Sequence, residues 1–237
     1  MDLPLPVLRN GFYNMEIYKL GEKIENKTIE SGAELKITDL KQGVKNQNRV
    51  NVFVGGKYSF SLDIAQVVDF KLKVGLAISK EQLLDYKKAS EFGKLYQRAL
   101  EWVLVRPRSE KEAYDYLYKK VYEKKLDKNY INNIIEKLKE KKYLDDVKFA
   151  EWYVENRFVK KGVSAKRLKM ELVKKGVAKD IIEDVLFRSE RDDEPEARKI
   201  IAKKRAKYTD EKLIQYLCRQ GFSYELASGL VQSYGKD

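Results

Sequence analysis

SAKRLKMELVKKG, residues 164–176, and TDEKLIQYLCRQG, residues 209–221, are one pattern written twice. Ser164 aligns with Thr209, Leu168 with Leu213, Leu172 with Leu217 and Gly176 with Gly221. A hydroxyl residue at the start supplies an N-cap, leucines four apart mark one helix face, and glycine supplies a left-handed stop. Each stretch is therefore a short amphipathic helix.

Working outward, each stretch is the middle of a larger unit. DDVKFAEWYVENR, from Asp145, precedes the first and VAKDIIEDVL follows it. DEPEARKIIAKKR, from Asp193, precedes the second and FSYELASGLV follows it. Upstream, FGKLYQRALEWVL and SEKEAYDYLYKKV fit the pattern more loosely, with Ser109, Ala113, Leu117 and Val121 at the matching positions. Val121 stands where the later units have glycine, so this second helix runs longer. Leu95, Ala99, Trp102 and Val103 line one face of the helix before it, and Pro107 ends that helix. Ser109 with Glu112 reads as a capping box. Leu126-Asp127 opens a third helix striped by Ile131, Ile134, Ile135 and Leu138. No unit can bury its apolar face alone, so stacking supplies the core.

Before the helices, ELKITDL and RVNVFVGGKYSFSLD alternate as strands do. Val50, Val52 and Val54 share a face, with Tyr58, Phe60 and Leu62 following, and Gly55-Gly56 between them marks a hairpin. VVDFKLKVGLAISKEQLLDY reads as a strand or short helix, a turn at Gly75, then a helix capped by Ser79 with Gln82. Pro4 and Pro6 disfavour helix at the start, and MEIYKL reads as a short strand. The expected fold is mainly α: three tandem three-helix repeats forming an elongated curved rod, preceded by a small antiparallel β-rich N-terminal domain. The expected boundaries are an extension at 1–34, the β-rich domain at 35–84, and repeats at 85–144, 145–190 and 191–237.

Charge narrows the partner. The net charge is +12, from 49 Lys+Arg against 37 Asp+Glu, which favours a polyanion or an acidic surface. The excess is local. Nine basic residues and one acid lie between Arg157 and Lys179, and six basic residues and no acid between Arg198 and Lys207. Such runs attract phosphates with salt-dependent affinity; a solvated helix face is the other reading. Tyr114, Tyr116, Tyr118, Tyr122, Tyr130 and Tyr143 crowd the first unit. Packing between helices with the hydroxyl at the rim is their expected use, and stacking on bases the alternative.

Catalytic chemistry has little to work with. The chain has no histidine, which removes the commonest general base and metal ligand. The single cysteine, Cys218, excludes an intramolecular disulfide and a thiolate cluster, and reads as a small core residue. No phosphate-binding loop or dinucleotide motif occurs. Asp145 and Asp146 precede a helix, where capping and the helix dipole explain them better than acid–base work. The expectation is no catalytic residue, no metal and no cofactor. No apolar run approaches a membrane span and no signal peptide is evident, so a cytoplasmic protein is the default.

RPRSEKEAYDYL from Arg106, KKYLDDVKFAEWYVENR from Lys141, KRLKMELVKKGV from Lys166 and YLCRQGFSYELAS from Tyr216 together resemble the RecX family, bacterial regulators of the RecA recombinase. The resemblance covers about residues 89–237, and the β-rich segment is similar to an extension some members carry. Its motif residues here are Arg106, Pro107, Arg108 and Ser109, then Tyr143, Leu144, Asp145 and Asp146, with Gly176 and Gly221. Lys142 stands where many members have glycine. The resemblance implies a non-enzymatic modulator that lies in the groove of the RecA–DNA filament and blocks extension, ATP hydrolysis and strand exchange. A stand-alone DNA-binding module acting by competition is the alternative. The implied partner is the RecA filament, with single- or double-stranded DNA beside it, no membrane and a monomeric chain. Charge clustering alone nominates the contacts: Arg157, Lys160, Lys161, Lys166, Arg167, Lys174, Lys175, Lys203, Lys204 and Arg205. Of these, Lys160, Lys161, Lys166 and Arg167 are expected to face solvent.

Overall fold

Gly55 and Gly56 adopt φ of +58° and +80°, the left-handed values a two-residue hairpin needs. They join β2 (Arg49–Val54) to β3 (Lys57–Asp63). With β1 (Leu35–Gln42) and the short β4 (Ala77–Ile78) they form an antiparallel sheet of order β3-β2-β1-β4. The computed structural model describes residues 35–234 apart from Lys45, so the readings of residues 1–34 lie outside the described residues. Ile37, Val52, Phe60 and Leu62 are buried on the inner face. Tyr58 does not join them. The β2–β3 register shifts between Val52 and Phe53, and this bulge turns Tyr58 outward against the Phe53 ring, 6.1 Å away.

The segment read as strand or short helix is α1 (Ile64–Asp69), opened by a capping box of Asp63 and Gln66. Ser79 and Gln82 cap α2 (Lys80–Leu104) in the same way. This 25-residue helix serves two cores. Tyr86 packs on the sheet, while Leu95, Ala99 and Val103 pack on α3 (Glu110–Lys124) and α4 (Asn129–Glu140). The stripe Ile131, Ile134, Ile135 and Leu138 fills that second core. α3 is longer than its later counterparts and stops at Lys125, a non-glycine residue at φ +53°.

Two further groups follow, each with its own core. α5 (Asp146–Asn156), α6 (Ala165–Lys174) and α7 (Lys179–Arg188) enclose Phe149, Leu168, Leu172 and Ile182. α8 (Asp193–Lys204), α9 (Asp210–Arg219) and α10 (Tyr224–Ser233) enclose Ile201, Leu213, Leu217 and Val231. The chain is thus mainly helical with a small N-terminal sheet, as its sequence indicates.

Neighbouring groups join through one device used twice. The Ser109 hydroxyl accepts from Glu112 N at 3.1 Å, capping α3, and donates to the Lys175 carbonyl at 2.7 Å, at the end of α6. The Ser164 hydroxyl accepts from Arg167 N and donates to the Gln220 carbonyl at 2.7 Å, at the end of α9. One serine closes the start of one helix and the end of another. A carboxylate completes each joint: Asp146 accepts from Glu110 N at 2.8 Å, and Asp193 from Ala165 N at 2.7 Å. Asp146 and Asp193 are both first helical residues, so the two joints match position for position. Gly176 and Gly221, at φ +82° and +100°, stand where the helices meet. A Cβ on Gly221 would lie 2.6 Å from Ser164 Oγ, and one on Gly176 would lie 2.6 Å from Lys111 Cβ.

Two capping expectations fail here. Thr209 takes the N-cap backbone conformation, but its side chain makes no cap hydrogen bond. Glu112 does not complete a capping box with Ser109. Its carboxylate instead reaches Arg106 Nη1 at 3.0 Å and the Lys175 ammonium across the joint.

Candidate functional site

The candidate face is built around residues 157–163, between α5 and α6. Phe158 adopts φ +50°, and its carbonyl accepts from Lys161 N and Gly162 N at 2.8 and 2.9 Å. Gly162, at φ +84°, lies so close to α8 that a Cβ would stand 2.3 Å from the Glu196 carbonyl. The next amide, Val163 N, donates to Glu196 Oε2 at 2.9 Å. Glu196 is buried and also takes Arg191 at 2.7 Å and Lys199 at 2.7 Å. Burial alone would raise its pKa, but these donors win and hold it below the usual carboxylate value. The loop is therefore pinned to the third group.

Its other support is Glu171, the one acid in the basic run. Arg157 Nε donates to it at 2.7 Å, Arg167 Nε at 3.2 Å and the Tyr153 hydroxyl at 2.7 Å. Burial opposes the charge, yet the Arg157, Tyr153 and Arg167 donors bring the Glu171 pKa down to about 2. Burial and the Glu171 carboxylate push Tyr153 up to about 12. The Arg157 guanidinium lies 3.5 Å from the Phe158 ring centroid and that of Arg167 5.7 Å from it. Arg167 also donates to the Gln220 side chain of the third group. It is half-buried, so the expectation of four solvent-facing cations holds for three of them.

The ten nominated cations thus fall into three sets. Arg157, Arg167, Lys175 and Arg205 are ion-paired, the last with Asp210. Lys204 lies over the Tyr216 and Tyr208 rings at 4.6 and 5.3 Å. Lys160, Lys161, Lys166, Lys174 and Lys203 are exposed and, among the described residues, have no carboxylate partner. The Lys203 ammonium donates to the Lys160 carbonyl, so α8 brings its cation to the same loop. Two stretches separate in sequence become one basic face.

The motif residues hold the neighbouring turn. Arg106 pairs with Glu112 and lies 5.0 Å from the Trp152 ring. Arg108 stacks 3.9 Å from the Trp102 ring, which in turn stacks on Tyr116 at 4.5 Å. Burial lowers the Arg108 pKa. Pro107 separates the two arginines, and its carbonyl accepts from Arg106 at 2.7 Å. Lys142 adopts φ +57°, a conformation that suits glycine. Tyr143 is exposed, Leu144 is buried, and Asp145 caps α5 by accepting from Val147 N and Lys148 N.

Sequence reasoning overlooked the two acid hubs and one exposed row. Tyr114, Tyr118 and Tyr122 stack in succession at 6.3 and 6.4 Å and are 43%, 46% and 76% exposed. They are not packed between helices; Tyr116 and Tyr130 are the ones packed against the first helical core. Spacing of four along α3 carries the signal for that row.

Comparison with known proteins agrees with this architecture. A family model described as the regulatory protein RecX N-terminal domain matches residues 35–79, and one for the RecX second three-helix domain matches residues 145–186. A Bacillus pumilus protein named regulatory protein RecX is 33% identical over 204 residues, covering 83% of this chain and 76% of the relative. One of the same name from Listeria monocytogenes serotype 4a is 31% identical, covering 81% and 73%. A crystal structure titled regulatory protein RecX shares the fold, with a TM-score of 0.63 at 23% identity, over 84% of this chain and 99% of that one.

Proposed function

This chain belongs to the RecX family, and from that premise we propose that it regulates the RecA recombinase without itself catalysing a reaction. It lies along the groove of the RecA–DNA filament as a monomer and blocks filament extension, ATP hydrolysis and strand exchange. The observation that carries this reading is the set of exposed lysines without a carboxylate partner among the described residues, Lys160, Lys161, Lys166, Lys174 and Lys203, with Lys203 of α8 meeting the Lys160 carbonyl. A cation without a carboxylate partner keeps its charge for a phosphate or an acidic groove, and releases counterions on binding. Arg157 and Arg167 shape that face by fixing the loop on Glu171.

The test is RecA ATPase on single-stranded DNA, with the filament preformed and this chain titrated in. Inhibition well below one chain per RecA is expected. Replacing Lys160, Lys161 and Lys166 by glutamine should weaken it by about tenfold or more, at unchanged melting temperature. No inhibition at equal concentration would sink the reading. The second reading, simple competition for DNA, predicts that excess bare single or double strand abolishes the inhibition.

A further inference from the structure

Between the sheet and the first helical group lies a cleft of about 360 Å³, within the range of small-ligand sites. Asn48, Arg49 and Asp63 line it from the sheet, and Phe92, Tyr96 and Gln97 from α2. Lys137 and Lys141 border it from the end of α4. Its floor is kept by Gly93, a glycine inside a long helix, where that residue is disfavoured. A Cβ there would approach Gln66 Oε1 to 3.1 Å and Arg49 Nη1 to 3.6 Å. The absence of a side chain lets α2 sit down on the sheet and leaves Arg49 beside the opening.

The electrostatics are lopsided. Among the described lining residues, Arg49 and Lys141 bring positive charge to the cleft beside one carboxylate, Asp63, with Lys137 at its rim. The Arg49 guanidinium is anchored from behind, with Nε donating to Ser61 Oγ at 3.2 Å and Nη2 to the Ser61 carbonyl. Burial penalises its charge and lowers its pKa. A half-buried cation fixed in this way is relieved by an anion in front of it. The opposite wall is aromatic: the Phe92 and Tyr96 rings are parallel to within 8°, at 6.5 Å. The Lys137 ammonium lies 4.8 Å from the Tyr96 ring. Asn48 adds an amide that can both donate and accept, and the Gln97 amide, which donates to Glu101 Oε1 at 3.0 Å, adds its oxygen as an acceptor.

We propose that this cleft binds a nucleotide unit, with a phosphate ester on Arg49 and Lys141 and a planar heterocycle against the Phe92–Tyr96 wall. The Asn48 and Gln97 amides meet the polar edge of the ring. A free mononucleotide and one unit of a single strand offer the same chemistry. The proposal is independent of the RecA reading, since it uses none of the lysines around Phe158.

Two probes are titrated into the full chain by calorimetry: AMP, and an oligothymidylate of about ten nucleotides. Binding of either with a Kd below about 1 mM is expected, weakened about tenfold by Lys141→Glu and by Arg49→Gln. Replacing Lys160 and Lys161 by glutamine should leave AMP binding as it was. Lys141 is exposed, so its variant reports on binding even if Arg49→Gln, which loses the Ser61 anchor, fails to fold. AMP binding assigns the cleft to free nucleotides; oligomer binding sensitive to Lys141→Glu without AMP binding assigns it to a strand. Three results overturn the proposal: no binding of either probe, unchanged affinity in Lys141→Glu, or inorganic phosphate binding as tightly as AMP.

Discussion

The starts of α6 and α9 look alike in sequence and differ in what abuts them. Ser164 is fully buried, caps its own helix and closes the end of α9. Thr209 is exposed and caps nothing with its side chain. Ser109 behaves like Ser164 because a later group also reaches it, through Lys175. A hydroxyl at a helix start therefore takes its importance from the neighbour it meets. Where no described group abuts it, the same signature is a nearly idle surface position.

The largest effect should come from removing the space at a joint. Gly221→Ala places a methyl 2.6 Å from Ser164 Oγ on a backbone at φ +100°. A loss of about 3 kcal/mol is expected, from left-handed strain together with the displaced hydroxyl, checked by urea unfolding. A loss below about 1 kcal/mol would mean that α6 and α9 do not meet as described. Next comes the direct comparison. Ser164→Ala should cost about 2 kcal/mol, since it removes a cap and strands the Gln220 carbonyl. Thr209→Ala should stay within about 0.5 kcal/mol. Equal losses would erase the distinction between a buried joint and an exposed helix start.

The smallest effect near neutrality is a pH response. The Glu171 pKa is about 2 in the fold against 4.5 for the free side chain. Its stabilisation is complete above pH 4.5 and is lost as pH falls towards 2. Glu196 and Glu112 are lowered too and act in the same direction. Asp146 and Asp193 are raised by burial and oppose it, since their folded state holds the proton more tightly. Melting curves from pH 7 to 3 should show a net decline that begins only below about pH 4.5. A stability that rose over that interval would place the joints, not the acid hubs, in control.

Much of the fold is legible because burial has a period. Leu168 and Leu172, Leu213 and Leu217, and the Ile131–Leu138 stripe are spaced for one helix face, and all are buried. Tyr58 is not, because a bulge shifts register without leaving a mark in the alternation. The basic runs are visible in sequence, but their sorting is not. Arg157 and Arg167 read as free charge until the fold brings both onto Glu171. Nothing in the sequence around Glu196 marks it out, yet it is the buried post to which Val163 N is tied. Such roles depend on partners tens of residues away, which local spacing does not encode.

The joints also set a timetable. Ser109 meets its carbonyl partner 66 residues later in the chain, and Ser164 meets its partner 56 residues later. A polypeptide emerging N-terminus first therefore exposes the starts of α3 and α6 before the group that closes each exists. Each of these two sections of the nascent chain waits with one open edge until the later residues that lock it have been made.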